Sequence, residues 1–132
     1  MADILPKRIL IVDDDLRFLN SLSNTLQDEG FDVLAEHGGR AGIEAFKTAL
    51  AQKKPFAVVI TDLDMKEVDG RQVVFEVKTA SPTTPVILIT GWGEWFENNS
   101  GLPLPVEFVL DKPPKLAALV GAINQCLGLG KA

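Results

Sequence analysis

Three aspartates stand within the eight positions 62–69 of TDLDMKEVDG, directly after the apolar run FAVVI, and three more follow RILIV as Asp13, Asp14 and Asp15. A hydroxyl, that of Thr90, closes the run VILIT, and an ammonium, that of Lys112, stands just beyond EFVL. Each aspartate, taken singly, also reads as a helix N-cap, because a carboxylate after a strand readily accepts main-chain N–H bonds from the next helix. Caps alone do not account for carboxylates, a hydroxyl and an ammonium that all fall at the ends of apolar runs. Two carboxylates 4 Å apart repel by about 4 kcal/mol at an effective dielectric near 20, so Asp13, Asp14 and Asp62 cannot all stay ionised together without a cation. A hard divalent ion with few protein oxygens and a watery rim is Mg²⁺, for which Mn²⁺ can substitute. Beside such an ion one carboxylate can attack a phosphoryl group, while an ammonium and a hydroxyl stabilise its equatorial oxygens.

Those groups need a scaffold that gathers the ends of several strands. Five short apolar runs read as strands: Arg8 to Val12, Phe31 to Ala35, Phe56 to Ile60, Val86 to Thr90 and Val106 to Leu110. Between and after them lie segments with helical spacing, marked by Leu19, Leu22 and Leu26, by Ile43, Phe46 and Leu50, by Val74 and Val77, and by Leu116, Leu119, Val120, Ile123 and Leu127. Alternating strand and helix demands right-handed crossovers and a parallel sheet covered on both faces, an α/β doubly wound architecture. The first, third and fourth runs are almost continuously apolar, as central strands should be. In such a sheet the strand carboxyl ends line one crevice, which is where these folds bind ligands. After Thr90 the chain reads GWGEWFENNSGLPLP, so the fourth helix is expected to be short or degenerate.

The chain has 132 residues, enough for one domain with its own core. Its net charge of −5, without a cluster of Lys or Arg, argues against direct nucleic-acid binding. One cysteine, Cys126, excludes an internal disulfide and a multi-cysteine zinc site, and suits packing in a reducing, cytoplasmic setting. No apolar run approaches the ~20 residues that span a bilayer, so no membrane role is expected.

The ordered set ILIVDDD, VVITDLDMKEVDG, PVILIT and VLDKP resembles the four signatures of the response-regulator receiver domain, the CheY-like module of two-component signalling. Any one of them is weak, whereas the ordered set is specific and covers the chain from Arg8 to Leu127. The resemblance implies a single receiver domain over residues 1–132, core about 7–128, with a flavodoxin-like five-stranded parallel sheet of strand order 2-1-3-4-5. It assigns Asp62 as phospho-acceptor, Asp13, Asp14, Asp62 and the backbone carbonyl of Asp64 as ligands of Mg²⁺, Thr90 as switch hydroxyl, and Lys112 as phosphoryl-binding lysine before a cis peptide to Pro113. The implied donor is the phosphohistidine of a sensor histidine kinase or of a histidine phosphotransfer domain. The implied activity is a switch that catalyses its own phosphoryl transfer and slow hydrolysis, not an enzyme with turnover.

Several positions depart from the family pattern. Lys66 stands where the loop usually has proline, and either is solvated or leans toward the acidic site. Val109 replaces the aromatic that in many relatives swings inward, and Phe108 should face the other side of its strand. Trp92 and Trp95 either fill the space of the degenerate helix or offer a partner contact. His37 is expected in a loop without a catalytic or metal role, Asp15 is expected to cap the first helix, and Asp69 with Gly70 to start the third. Two rival functions are compatible with the residues. One is a phosphatase resembling the haloacid-dehalogenase type, with Asp62 as nucleophile and Asp64 as acid and base; the other is a receiver-like interaction module that is never phosphorylated.

Overall fold

The computed structural model describes residues 7–91 and 104–128. Strands β1 (Arg8–Asp13), β2 (Asp32–His37), β3 (Val58–Asp62), β4 (Val86–Thr90) and β5 (Phe108–Asp111) form one parallel sheet in the order β2-β1-β3-β4-β5. Helices α1 (Leu16–Asp28), α2 (Gly39–Ala51), α3 (Gly70–Ala80) and α4 (Leu116–Gly128) cover it. This is the flavodoxin-like architecture expected from the sequence. The segment in which the short or degenerate helix was expected, with Trp92 and Trp95, lies outside the described residues.

Alternation along the strands divides the core into two layers. Ile9, Ile11, Val58, Ile60, Ile87 and Ile89 pack against Leu19, Leu22 and Leu26 of α1 and Leu119, Ile123 and Cys126 of α4. Leu10, Val12, Val59 and Val86 face the other way, onto Phe46 and Ala49 of α2 and Val73, Val74 and Val77 of α3. Every residue of β3 and β4 is buried, as central strands require. Cys126 is part of this packing, and burial pushes its thiol up to about 11, so it is a core residue and no nucleophile. Leu116, expected on the apolar stripe of the last helix, is 43% exposed; the stripe is completed instead by Ala122 and Cys126.

Four of the strands begin or end away from the apolar runs that announce them, and local bonding explains where. Phe31 is excluded from β2 because its N–H is taken by the Leu26 carbonyl at the end of α1. β5 starts at Phe108 rather than Val106, since the Glu107 carboxylate, itself held by Lys78 at 3.1 Å, accepts the Val86 N–H at 2.7 Å. β1 and β3 extend one and two residues further than their apolar runs and end on Asp13 and Asp62. The ladder is a main-chain property and continues through polar residues where the hydropathy pattern stops. His37 belongs to the end of β2, not to a loop.

The first two helices end in the same main-chain motif. After α1, Gly30 at φ +99° donates to Gln27 and Phe31 to Leu26; after α2, Lys53 at φ +60° donates to Leu50 and Lys54 to Ala49. A lysine in the left-handed region carries a steric cost that glycine avoids. Lys53→Gly is expected to stabilise the fold by about 0.5–1 kcal/mol, read as a higher midpoint of urea unfolding. An unchanged or lower midpoint would count against strain at this position.

Candidate functional site

Counting along the alternating rows shows why the polar groups meet. Asp13 continues the row Ile9, Ile11; Asp62 continues Val58, Ile60; and Lys112 continues Phe108, Leu110, all on the α1 and α4 side of the sheet. Asp13 and Asp62 stand one step beyond the registered pair Val12 and Thr61, which sets the two carboxylates on adjacent strands side by side. Lys112 reaches both: its Nζ lies 3.0 Å from Asp13 Oδ2 and 3.3 Å from Asp62 Oδ2. Asp14 completes the group, with one carboxylate oxygen from each of Asp13, Asp14 and Asp62 within 4.8 Å of one another.

Local bonds fix each member. Asp13 Oδ1 accepts the Asp15 N–H at 2.8 Å, which bends the chain out of β1 and into α1. Asp15 caps that helix by accepting the Phe18 N–H at 3.2 Å. This cap places the Phe18 ring so that Lys112 Nζ sits 4.8 Å from its centroid, a cation–π contact on the flank of the ammonium. Beyond β3, Gly70 packs so closely on the strand end that a Cβ would overlap the Asp62 carbonyl oxygen and lie 2.7 Å from Leu63 Cα. Its N–H donates to the Leu63 carbonyl at 2.9 Å, and Asp69 caps α3 by accepting from Arg71 and Gln72. The third helix is thereby fastened to the end of the strand that carries Asp62.

Thr90 ends β4 in the opposite row, with Val86 and Leu88, and is fully buried next to Asp62's neighbour in register, Ile89. The Lys112 N–H donates to the Thr90 carbonyl at 3.2 Å, so the hydroxyl-bearing and ammonium-bearing residues are linked through the main chain. Asp64 stands apart: its side chain is exposed and its carboxylate is outside the group of three. Lys112–Pro113 is cis, as the resemblance implied. Phe108 packs against the core and Val109, which takes the place of the family's aromatic, is 37% exposed on the opposite side.

Two contacts were not foreseen. His37 Nε2 lies 2.9 Å from the Asp14 carbonyl oxygen, joining the end of β2 to the acidic loop. Lys66, whose side chain is exposed, donates its main-chain N–H to Asp14 Oδ2 at 3.0 Å. The only sequence signal for the first was the place of His37 shortly after the second apolar run; the second involves no side chain of Lys66 at all.

Electrostatics follow from the crowding. Burial first, then the Asp13 charge, push Asp62 up to about 6 against the pull of Lys112. Burial works against the Lys112 ammonium, but Asp13 and then Asp62 outweigh it and hold its pKa above the ordinary value. A site of three oxygens that is short of positive charge fits a hard divalent cation.

The family model described as "Response regulator receiver domain" matches residues 9–124. Among proteins of similar sequence are the transcriptional regulatory protein GlrR of Escherichia coli, 32% identical over 92% of this chain and 26% of its own length, and the response regulator MprA of Mycolicibacterium vanbaalenii, 29% identical over 93% and 51%. The chain thus spans between about a quarter and a half of these relatives. Among solved structures, a response regulator receiver domain protein of Clostridium thermocellum superposes with a TM-score of 0.83 at 27% identity, covering 95% of this chain and 97% of that one. The chemotaxis protein CheY4 of Vibrio cholerae gives 0.77 at 28%, covering 92% and 99%.

Because Asp62 holds its proton more tightly when folded, near pH 6, than when unfolded, near 3.8, stability falls as pH rises through that window and levels off above it. In EDTA at about pH 8, Asp62→Asn is expected to be more stable than the native chain by about 1–3 kcal/mol, a gain that fades toward pH 4. Denaturant melts at several pH values read this; a variant that is less stable at pH 8 would contradict the crowding.

Proposed function

The chain belongs to the response regulator receiver domain family and is a phosphorylation-activated signalling switch of the two-component type, and we propose that Asp62 is its phospho-acceptor. The observation that carries this reading is the bridging of Asp62 and Asp13 by one ammonium, at 3.3 and 3.0 Å, with Asp14 alongside at the mouth of the sheet. Residues 7–128 form the core of this single receiver unit. Asp13, Asp14, Asp62 and the backbone carbonyl of Asp64 would hold Mg²⁺, or Mn²⁺ in its place. When bound, the ion neutralises the carboxylates and draws charge from phosphoryl oxygens.

A carboxylate oxygen of Asp62 attacks the phosphorus of a phosphohistidine; the new P–O bond forms as the P–N bond breaks, and the electron pair returns to the imidazole nitrogen, which takes up a proton. Lys112 leaves Asp62 for a phosphoryl oxygen while keeping Asp13, and its compact ammonium suits a group that grows more negative. The Thr90 hydroxyl donates to a second oxygen. Hydrolysis reverses the state: water attacks phosphorus, the P–O bond to Asp62 breaks, and inorganic phosphate leaves. One adduct per chain forms and decays slowly, so the unit works as a switch and not as a turnover enzyme.

The donor is a sensor histidine kinase or a histidine phosphotransfer domain in the cytoplasm. The proposal includes no direct nucleic-acid or membrane partner, and a net charge of −5 supports the first part; no helix among the described residues is long and apolar enough to cross a membrane. Trp92 and Trp95, outside the described residues, are candidates for a further partner contact. With Val109 in place of an aromatic, the signal leaves the site through Thr90, the Lys112 main chain and β5.

Incubation with acetyl phosphate and Mg²⁺, followed by intact-mass measurement, is expected to show one labile phosphoryl adduct. It is expected to vanish in Asp62→Asn and in EDTA. Rapid hydrolysis of phosphomonoesters would favour a phosphatase instead, and no adduct with any donor would favour a silent interaction module.

A further inference from the structure

We infer that the main-chain N–H of Lys66 is a positioning group for the Asp14 carboxylate, holding it in the orientation in which it joins Asp13 and Asp62 around a divalent cation. The inference rests on the reading of these carboxylates as the metal site and extends it to a residue that no ligand role covers.

Asp14 is the half-buried member of the group, whereas Asp13 and Asp62 are 1% and 5% exposed. Packing and Lys112 fix the other two side chains, and among the described residues the ion pairs of Lys112 are with those two and not with Asp14. A carboxylate at the rim would otherwise turn freely between rotamers and lose entropy on binding a cation. Two contacts oppose that freedom. The Asp14 main chain is tied through its carbonyl to His37, and its Oδ2 accepts the Lys66 N–H at 3.0 Å from the loop between β3 and α3. A bond from N–H to an ionised carboxylate is stronger than a neutral one and directional, so it sets the side-chain torsion. The remaining oxygen stays available, and one ligand atom of Asp14 already falls within 4.8 Å of those from Asp13 and Asp62.

The loop is shaped to present this donor. Val68 N–H closes back on the Lys66 carbonyl at 2.8 Å, and the intervening Glu67 takes φ +64°. The Lys66 side chain meanwhile is exposed, so its charge is dispensable to the contact while its N–H is not. Proline at this position would delete the donor and keep the loop's length.

Isothermal titration with MgCl₂ separates the two parts of the residue. The native chain and Lys66→Ala, which both keep the N–H, are expected to bind with dissociation constants within about threefold of each other, and Lys66→Pro about tenfold more weakly. Equal or tighter binding by folded Lys66→Pro would overturn the inference, as would a loss in Lys66→Ala as large as that in Lys66→Pro. A second readout does not depend on the proline variant folding. In metal-free ¹H–¹⁵N spectra the Lys66 amide is expected to lie downfield, and in Asp14→Ala to move upfield and exchange faster with solvent. An amide indifferent to Asp14 would also overturn it. Failure of the underlying metal reading looks different: the native chain itself would show no Mg²⁺ heat, and Asp14→Ala would change nothing in the titration, which removes the clamp's purpose along with the site.

Discussion

Two carboxylates are held side by side at the ends of adjacent strands, and neither can move away. Asp13 and Asp62 are set there by the period of the pleat and by the register of β1 on β3, below which lie rows of fully buried isoleucine and valine. Sliding either strand by one residue would relieve the repulsion but turn that strand's core row to the other face, at a cost far above a few kcal/mol. The fold therefore tolerates the crowding and compensates it locally. Lys112 bridges the pair, the Phe18 ring flanks the ammonium, and Asp62 retains a raised affinity for its proton. A site left short of positive charge in this way has a standing preference for whatever brings it, whether a divalent ion or a proton.

The same rigidity explains how a small chemical change can be read at a distance. Asp62 is backed by Gly70, whose missing side chain lets α3 seat directly on the strand end, and Thr90 is linked through the Lys112 N–H to the turn that leads from β5 into α4. In the proposed cycle, one ammonium moves from a carboxylate to a phosphoryl oxygen on the residue whose main chain makes the Thr90 contact. In the family's aromatic position Val109 is small and partly exposed, and Phe108 packs against the core. Between the site and β5 the described link is main chain, the Lys112 N–H on the Thr90 carbonyl.

Much of this was legible in the residue pattern, and the exceptions share a cause. Periodicity located all five strands, the stripes Leu19, Leu22, Leu26 and Val74, Val77, and the order of burial in which β1, β3 and β4 are central. The cap roles of Asp15 and Asp69 followed from their position before helical segments. What hydropathy could not show was that β1 and β3 run on into their aspartates, because ladder bonds are made by backbone regardless of side chain. His37 looked isolated because its partner is a carbonyl reached across strands, and Lys66 drew attention by its charge although its main-chain N–H makes the contact. Phe18 lies outside the stripe that marks the first helix, and its ring meets Lys112 from the far end of the chain. Contacts made by backbone atoms, or between residues distant in the chain, leave no mark in local composition.

The central claim is that Asp62 is a crowded carboxylate relieved by a divalent cation, and its own titration tests this most directly. Following the Asp62 side-chain ¹³C resonance with pH in EDTA should give a midpoint near 6, and adding saturating Mg²⁺ should move that midpoint well below it. A midpoint near 3.8 in EDTA, or one near 6 that Mg²⁺ leaves unmoved, would contradict the account.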